Sequence, residues 1–258
     1  MSMNLQGLLR VCVFLMTGLV AVASAALIAY QIPDAARRER LIPVNVTQLS
    51  AEHGAFPVEL RCEGARSSAP NRLDGFSCLV INNTGKKISA LAVIYSVVVE
   101  TGGRQERESN LLTSDFAIHP DVSEAKRQKL FSPGESHRVG PPGWIAFESG
   151  VVSGVEAHID YVEFSDKTST GSDTHGSKTI NSWREGAARY KAWLARQYRR
   201  GELDEQAVAA ALEASDIPKE LNFDGNSDLG AGARVYRDIM RGVYTSLGAA
   251  ELRRYLNK

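Results

Sequence analysis

The hydrophobic positions of this chain follow three patterns in turn. From Val11 to Tyr30 (VCVFLMTGLVAVASAALIAY) they are almost continuous and uncharged over about 20 residues, the length a helix needs to cross a bilayer. Between Pro57 and Phe164 they alternate with polar residues in short runs, as half-buried strands do. Beyond Ser182 the period becomes helical, with Trp183, Ala187, Tyr190, Leu194 and Tyr198 on one face.

The alternating region predicts strands at Pro57 to Cys62, Phe76 to Asn82, Ile88 to Glu100, Glu106 to Leu112, Glu135 to Val139, Trp144 to Glu148 and Val152 to Phe164. Asn82-Asn83-Thr84-Gly85 supplies residues that tolerate the positive φ of a tight reversal, which makes the second and third of these a hairpin. In the third, Leu91, Val93, Tyr95, Val97 and Val99 fill one face, and Ala90, Ala92, Ile94 and Val98 nearly fill the other. Such a strand is expected to be covered on both sides. Ser132-Pro133-Gly134 and Gly140-Pro141-Pro142-Gly143 are strong breaks. In the last strand Val155, Ala157, Ile159 and Tyr161 share a face, after which Val162 and Phe164 reverse the pattern, so a bulge is expected there.

The helical region opens on Ser182-Trp183-Arg184-Glu185, which has the form of a capping box, and its first helix is expected to close with Arg196, Arg199 and Arg200 before Gly201. Further helices are expected over Asp204 to Ala214, Gly232 to Leu247 and Ala249 to Leu256.

These patterns predict an all-β, antiparallel, immunoglobulin-like sandwich with an N-terminal signal or transmembrane helix and an appended C-terminal α-helical region. The expected boundaries are 1–31 for the signal peptide or anchor, 32–56 for a linker, 57–166 for the sandwich, 167–179 for a flexible connector and 180–258 for the helices. The succession of a strand, NNTGKKI, a long apolar strand, a GG turn, FSPGES and a closing V-x-G-V-E-x-x-I-D-Y strand resembles the extracytoplasmic Ig-like modules of bacterial envelope proteins, including the FxLYD type. The F-x-L-Y-D string itself is absent. The resemblance implies a binding or assembly domain without catalytic residues.

Charge narrows the partners. Lys+Arg 30 balance Asp+Glu 30, which removes the basic field that nucleic-acid binding requires. The apolar N-terminus reads either as a signal, with Ala21, Ala23 and Ala25 in an A-x-A arrangement, or as a membrane anchor if uncleaved. Both readings imply export to the cell envelope, periplasmic or inner-membrane anchored. Arg37, Arg38 and Arg40 after the segment instead favour a cytoplasm-facing anchored adaptor. Cys12 lies in the apolar segment, leaving Cys62 and Cys78 on two strands that antiparallel pairing could bring together, as a disulfide or as two buried thiols.

Candidate chemistry is sparse. Asp115, His119 and Asp121 with His158 and Asp160 are residue types that bind metals or serve hydrolysis, at no recognised spacing. Asp173, His175 and nearby serines supply triad types without a nucleophile elbow, and no phosphate loop or H-E-x-x-H string occurs. No cofactor is expected. The aromatics Trp183, Tyr190, Trp193 and Tyr198 are expected to pack in a core or, if exposed, to form a protein-partner surface. The expectation is a non-catalytic envelope binding or structural module; the alternative is a metal-dependent or hydrolytic enzyme using the loop Asp and His groups.

Overall fold

A long strand, β7 (Ile88–Thr101), organises the molecule because both of its faces are greasy. In the computed structural model, which describes residues 39–49, 57–118, 130–141, 143–199 and 205–256, it is central to a five-stranded sheet. The chain divides into Met1–Arg40 and Leu41–Lys258, and the fold described is that of the second unit. β1 (Arg40–Ile42) contributes Ile42, 2% exposed, to its core.

β7 pairs antiparallel with β8 (Arg104–Asp115) on one side and with β11 (Val151–Phe164) on the other. The outer edge of β11 has two partners: β2 (Val44–Thr47), running parallel along Val155 to His158, and β12 (Ser169–Thr170), antiparallel at Val162 and Glu163. A second sheet holds β3 (Val58–Cys62), β6 (Cys78–Asn82) and β9 (Ser136–Val139), all antiparallel. Short strands β4 (Ala65–Ser67), β5 (Arg72–Leu73) and β10 (Ile145–Ala146) close one end, with β5 pairing β10.

The two sheets enclose the first core, into which β7 sends Leu91, Val93, Tyr95, Val97 and Val99. Gln48, just past β2, extends this contact: its amide donates to the Leu60 carbonyl at 2.6 Å and accepts the Leu60 N–H at 3.0 Å. A side chain thus stands in for a strand beside β3.

The opposite face of β7 carries Ala90 and Ala92, which pack with Tyr161 of β11 against Ile180 of α1 (Gly176–Arg199). α1 in turn packs on α3 (Asp228–Leu247), with α2 (Glu205–Glu213), a 3₁₀ turn at Lys219–Leu221 and α4 (Ala249–Leu256) completing the helical layer. Tyr190, Leu194, Leu212, Met240 and Leu252 fill a second core among these helices. α1 and α3 touch backbone to backbone: a Cβ on Gly186 would strike the Leu229 carbonyl, and one on Gly232 the Trp183 carbonyl.

Several expectations are corrected here. The fold is not an all-β antiparallel sandwich: its larger sheet is mixed, and helices form a layer covering that sheet's outer face. The stretch expected to be a linker contributes β1 and β2, because Val44 and Val46 alternate with Asn45 and Thr47 and fit a half-buried edge. The expected connector 167–179 holds β12 and the start of α1. Among the described residues no helix is long and apolar enough to cross a membrane. The fold therefore contributes no transmembrane helix; the apolar segment 11–30 lies outside the described residues.

Candidate functional site

The ionisable residues gathered between the larger sheet and α1 are engaged with one another. Arg184 donates from Nε and Nη2 to both Asp115 oxygens, at 2.7 and 3.1 Å, and from Nη1 and Nη2 to Glu163, at 2.8 and 3.0 Å. The Asp115 and Glu163 side chains are 1% and 9% exposed. Ser89 adds a 2.6 Å bond to Glu163. Burial alone would raise the Glu163 carboxyl, but the bonds from Arg184 and Ser89 outweigh it and hold the group at about 2. Burial opposes the charge of Arg184, but Glu163 and Asp115 overcome it and hold the guanidinium above its ordinary value. Buried charges compensated in this way fix the helix to the sheet.

Asp160 does the same at the start of α1. It is the residue skipped in the register between Ile159↔Val93 and Tyr161↔Ala92, so a bulge in β11 accommodates it. Its carboxylate accepts from Ser172 Oγ and the Thr174 N–H at 2.9 and 2.8 Å, and from the His175 and Gly176 N–H groups at 3.0 and 2.7 Å. Burial opposes ionisation, and these donors overcome it, so its pKa lies below the ordinary value. It caps a helix that begins 16 residues later in the chain.

The alternative metal set does not assemble from its described members. Asp115 and Asp160 serve separate structural roles, His158 lines a groove elsewhere, and His119 and Asp121 lie outside the described residues. Among the described residues no group of His, Cys, Asp and Glu could hold a metal ion. The triad types of the 167–179 stretch are capping groups: Asp173 accepts the Ser177 N–H at 2.9 Å, and the backbone of His175 is bound to Asp160. A Ser–His contact that the sequence did not suggest joins Ser114 Oγ to His137 Nε2 at 3.2 Å. His137 lies edge-on to Phe116 at 4.9 Å, and burial lowers its pKa. No carboxylate bonds to its ring among the described residues, so the contact lacks the orienting member of a triad.

Cys62 and Cys78 stand directly opposite each other on β3 and β6 and are joined by a disulfide. Such a bond persists in an oxidising, extracytoplasmic setting.

The helical aromatics do not form an open surface. Tyr190 is fully buried and Trp193 is 8% exposed, both in the second core, Tyr198 packs half-buried against that core, and Trp183 is half-buried. Burial pushes the Tyr190 hydroxyl up to about 12. This corrects the partner-surface expectation for these residues.

Two hollows remain. The larger, about 1010 Å³, lies where β2 and β12 leave a gap along β11, and it is rich in hydroxyls. Several of its polar groups serve the fold: Thr84 binds Asn82, Thr168 binds Asp166, Ser172 binds Asp160, and Lys86 pairs with Asp166 at 2.7 Å. The smaller, about 310 Å³, is bounded by Tyr95 and Asn110, which are cross-strand partners, by Glu108, and by Pro141, Trp144 and Ile145. Trp144 is 60% exposed, although one indole face carries the Arg72 guanidinium at 4.7 Å. Arg72 is itself paired with Asp74 at 2.5 Å. Among the described residues the Asn110 side chain makes no hydrogen bond and Glu108 no ion pair. The sequence signal for this site is the Gly-Pro-Pro-Gly break: it leaves only the two residues of β10 after Trp144, too little strand to bury an indole.

No family model matches this chain, and no curated protein matches it. A solved structure of the ApaA protein from Bordetella pertussis aligns with 50% of this chain and 89% of its own length, at 8% identity and a TM-score of 0.24. A likeness at that score supports no inference about fold or function.

Proposed function

We propose that the protein is a non-catalytic binding module of the periplasm, with its contact face at Trp144. The observation that carries this reading is the contrast between committed and uncommitted polar groups. The carboxylates and the guanidinium beneath α1 are spent on joining helix to sheet, whereas Asn110 and Glu108 stand unengaged beside an indole that is 60% exposed. Tryptophan at that exposure is characteristic of the residues that anchor interfaces. The disulfide supports the compartment.

The test is a thermal-shift screen of the full chain against peptides and glycans typical of the bacterial envelope. A ligand that raises the melting temperature of the native protein and not of Trp144→Ala supports the reading. Turnover of a ligand into product, or stabilisation that ignores Trp144, overturns it.

A further inference from the structure

We propose that the hollow beside Trp144 takes an extended, proline-rich peptide carrying a basic residue; this rests on the reading of Trp144 as the contact face.

The shape of the hollow comes first. At about 310 Å³ it lies at the lower end of ligand-site volumes and suits a few residues rather than a folded domain. It is lined by Tyr95, which packs edge-on against Phe76 at 5.1 Å, and by Pro141, Ile145 and Trp144. The lining is therefore largely aromatic and aliphatic. Polyproline II segments present ring faces at a repeat of about three residues and enter the bound state already extended, so little ordering entropy opposes docking. They lack backbone N–H groups at proline and offer only carbonyl acceptors. The uncommitted groups answer that need: the Asn110 amide and the indole N–H of Trp144 are donors, and neither has a hydrogen bond among the described residues. Recognition of proline-rich segments by aromatic grooves follows the same physical logic.

Charge selects the sequence of the peptide. β7 turns Tyr95, Val97 and Val99 to the same side, and their partners on β8 are Asn110, Glu108 and Glu106. Two carboxylates therefore extend outward from the aromatic lining on one face. The negative charge of Glu108 is felt at the Tyr95 hydroxyl, which burial and that charge together hold above its ordinary pKa. Arg104, the next residue on this face, lies at the hairpin tip and limits the acidic stretch to these two positions. The cation on the other side, Arg72, is neutralised by Asp74. A basic residue flanking the prolines would therefore meet Glu108 and Glu106, and an acidic one would be repelled.

Isothermal titration of the full chain with three synthetic peptides tests the proposal: an oligoproline with a terminal arginine, the same peptide with glutamate for arginine, and an alanine-rich peptide with the same arginine. The arginine-bearing oligoproline is expected to bind, and the other two to bind at least several-fold more weakly. Trp144→Ala is expected to weaken binding more than about 30-fold, as loss of an interface anchor does. Glu108→Gln is expected to weaken only the arginine peptide, by about two- to fivefold, as loss of an exposed ion pair does. Trp144 is largely exposed, and an unchanged melting temperature of its variant confirms folding. No heat from any oligoproline at millimolar concentration overturns the proposal, as does equal binding of the alanine-rich peptide or binding that survives Trp144→Ala. If the oligoprolines fail while another ligand stabilises the protein through Trp144, the ligand class is wrong and the contact face stands.

Discussion

Asp160 and Gly176 meet where sheet becomes helix: the carboxylate of a bulged strand residue accepts the N–H of the first helical residue at 2.7 Å. With the neighbouring N–H groups of Thr174 and His175 also bound, one side chain satisfies donors that a helix start otherwise leaves open. Asp160→Asn keeps the shape and loses the charge and half of the acceptor capacity. It is expected to lower unfolding stability by about 2–4 kcal/mol, measured by urea denaturation. A variant as stable as the native protein would show that the cap contributes nothing net.

Arg184→Met leaves Asp115 and Glu163 buried without their cation. The expected cost is about 3–5 kcal/mol at neutral pH, measured by chemical denaturation. Adding Asp115→Asn and Glu163→Gln is expected to recover part of that loss, because the stranded charges are then gone. Recovery of nothing would mean that the arginine acts through packing of its stem alone.

The pH dependence follows from the same residues. Glu163 is depressed from 4.5 to about 2, so its contribution is complete above its unfolded value and is lost as pH falls through the folded one. At about 1.4 kcal/mol per unit, the loss between about pH 4.5 and 2 is on the order of 3 kcal/mol. Asp160, also depressed, adds loss in the same direction. Denaturation midpoints measured across this window are expected to fall steadily in the native protein and less steeply in Glu163→Gln.

The disulfide closes a loop with a sequence separation of 16. Loop-closure entropy of that size corresponds to about 3 kcal/mol. Reduction with dithiothreitol, or Cys62→Ser with Cys78→Ser, is expected to lower the melting temperature without converting the fold, as judged by far-UV circular dichroism. An unchanged melting temperature would assign the bond no stabilising role.

Gly232→Ala improves helix propensity by about 1 kcal/mol in isolation. Here the added methyl meets the Trp183 backbone carbonyl, so a net loss of stability is expected instead, with a changed near-UV signal from Trp183. Thermal denaturation decides the sign.

Much of the strand content was legible because β-branched runs, the Asn-Asn-Thr-Gly turn and Pro-Gly breaks act locally. The two-sided burial of β7 is of this kind, but the hairpin expected between β6 and β7 does not form: the chain crosses there from one sheet to the other, β6 pairing with β3 and β9 and β7 with β8 and β11. So was the irregularity in β11, since the inward positions change parity between Ile159 and Val162; the register shifts at Asp160, which turns Tyr161 to the helix face while Ile159 and Val162 both enter the first core. What covers the second face of β7 was not legible. Alanines at 90 and 92 announce close approach but do not distinguish a sheet from a helix as the neighbour.

The start of α1 shows why the rest was hidden. Ser182-Trp183-Arg184-Glu185 has a local capping pattern, yet the helix begins at Gly176 and takes Ser182 into its interior. The true cap comes from a different element, 16 residues earlier, and Arg184 of the supposed box turns to the sheet instead. Burial followed the same logic: of the two readings of the helical aromatics, core packing holds for Tyr190 and Trp193, whereas Trp144, isolated after a break, is 60% exposed.

The clamp from Asp160 also bears on how the polypeptide can be divided. Cutting after the last long strand would seem to free a self-sufficient all-strand fragment. It would instead strip Asp160 and Glu163 of the donors that the helical part supplies and bare the apolar face formed by Ala90, Ala92 and Tyr161. Strands and helices are therefore obligate companions, and expressing the strand half alone should yield insoluble material even though its own core is intact.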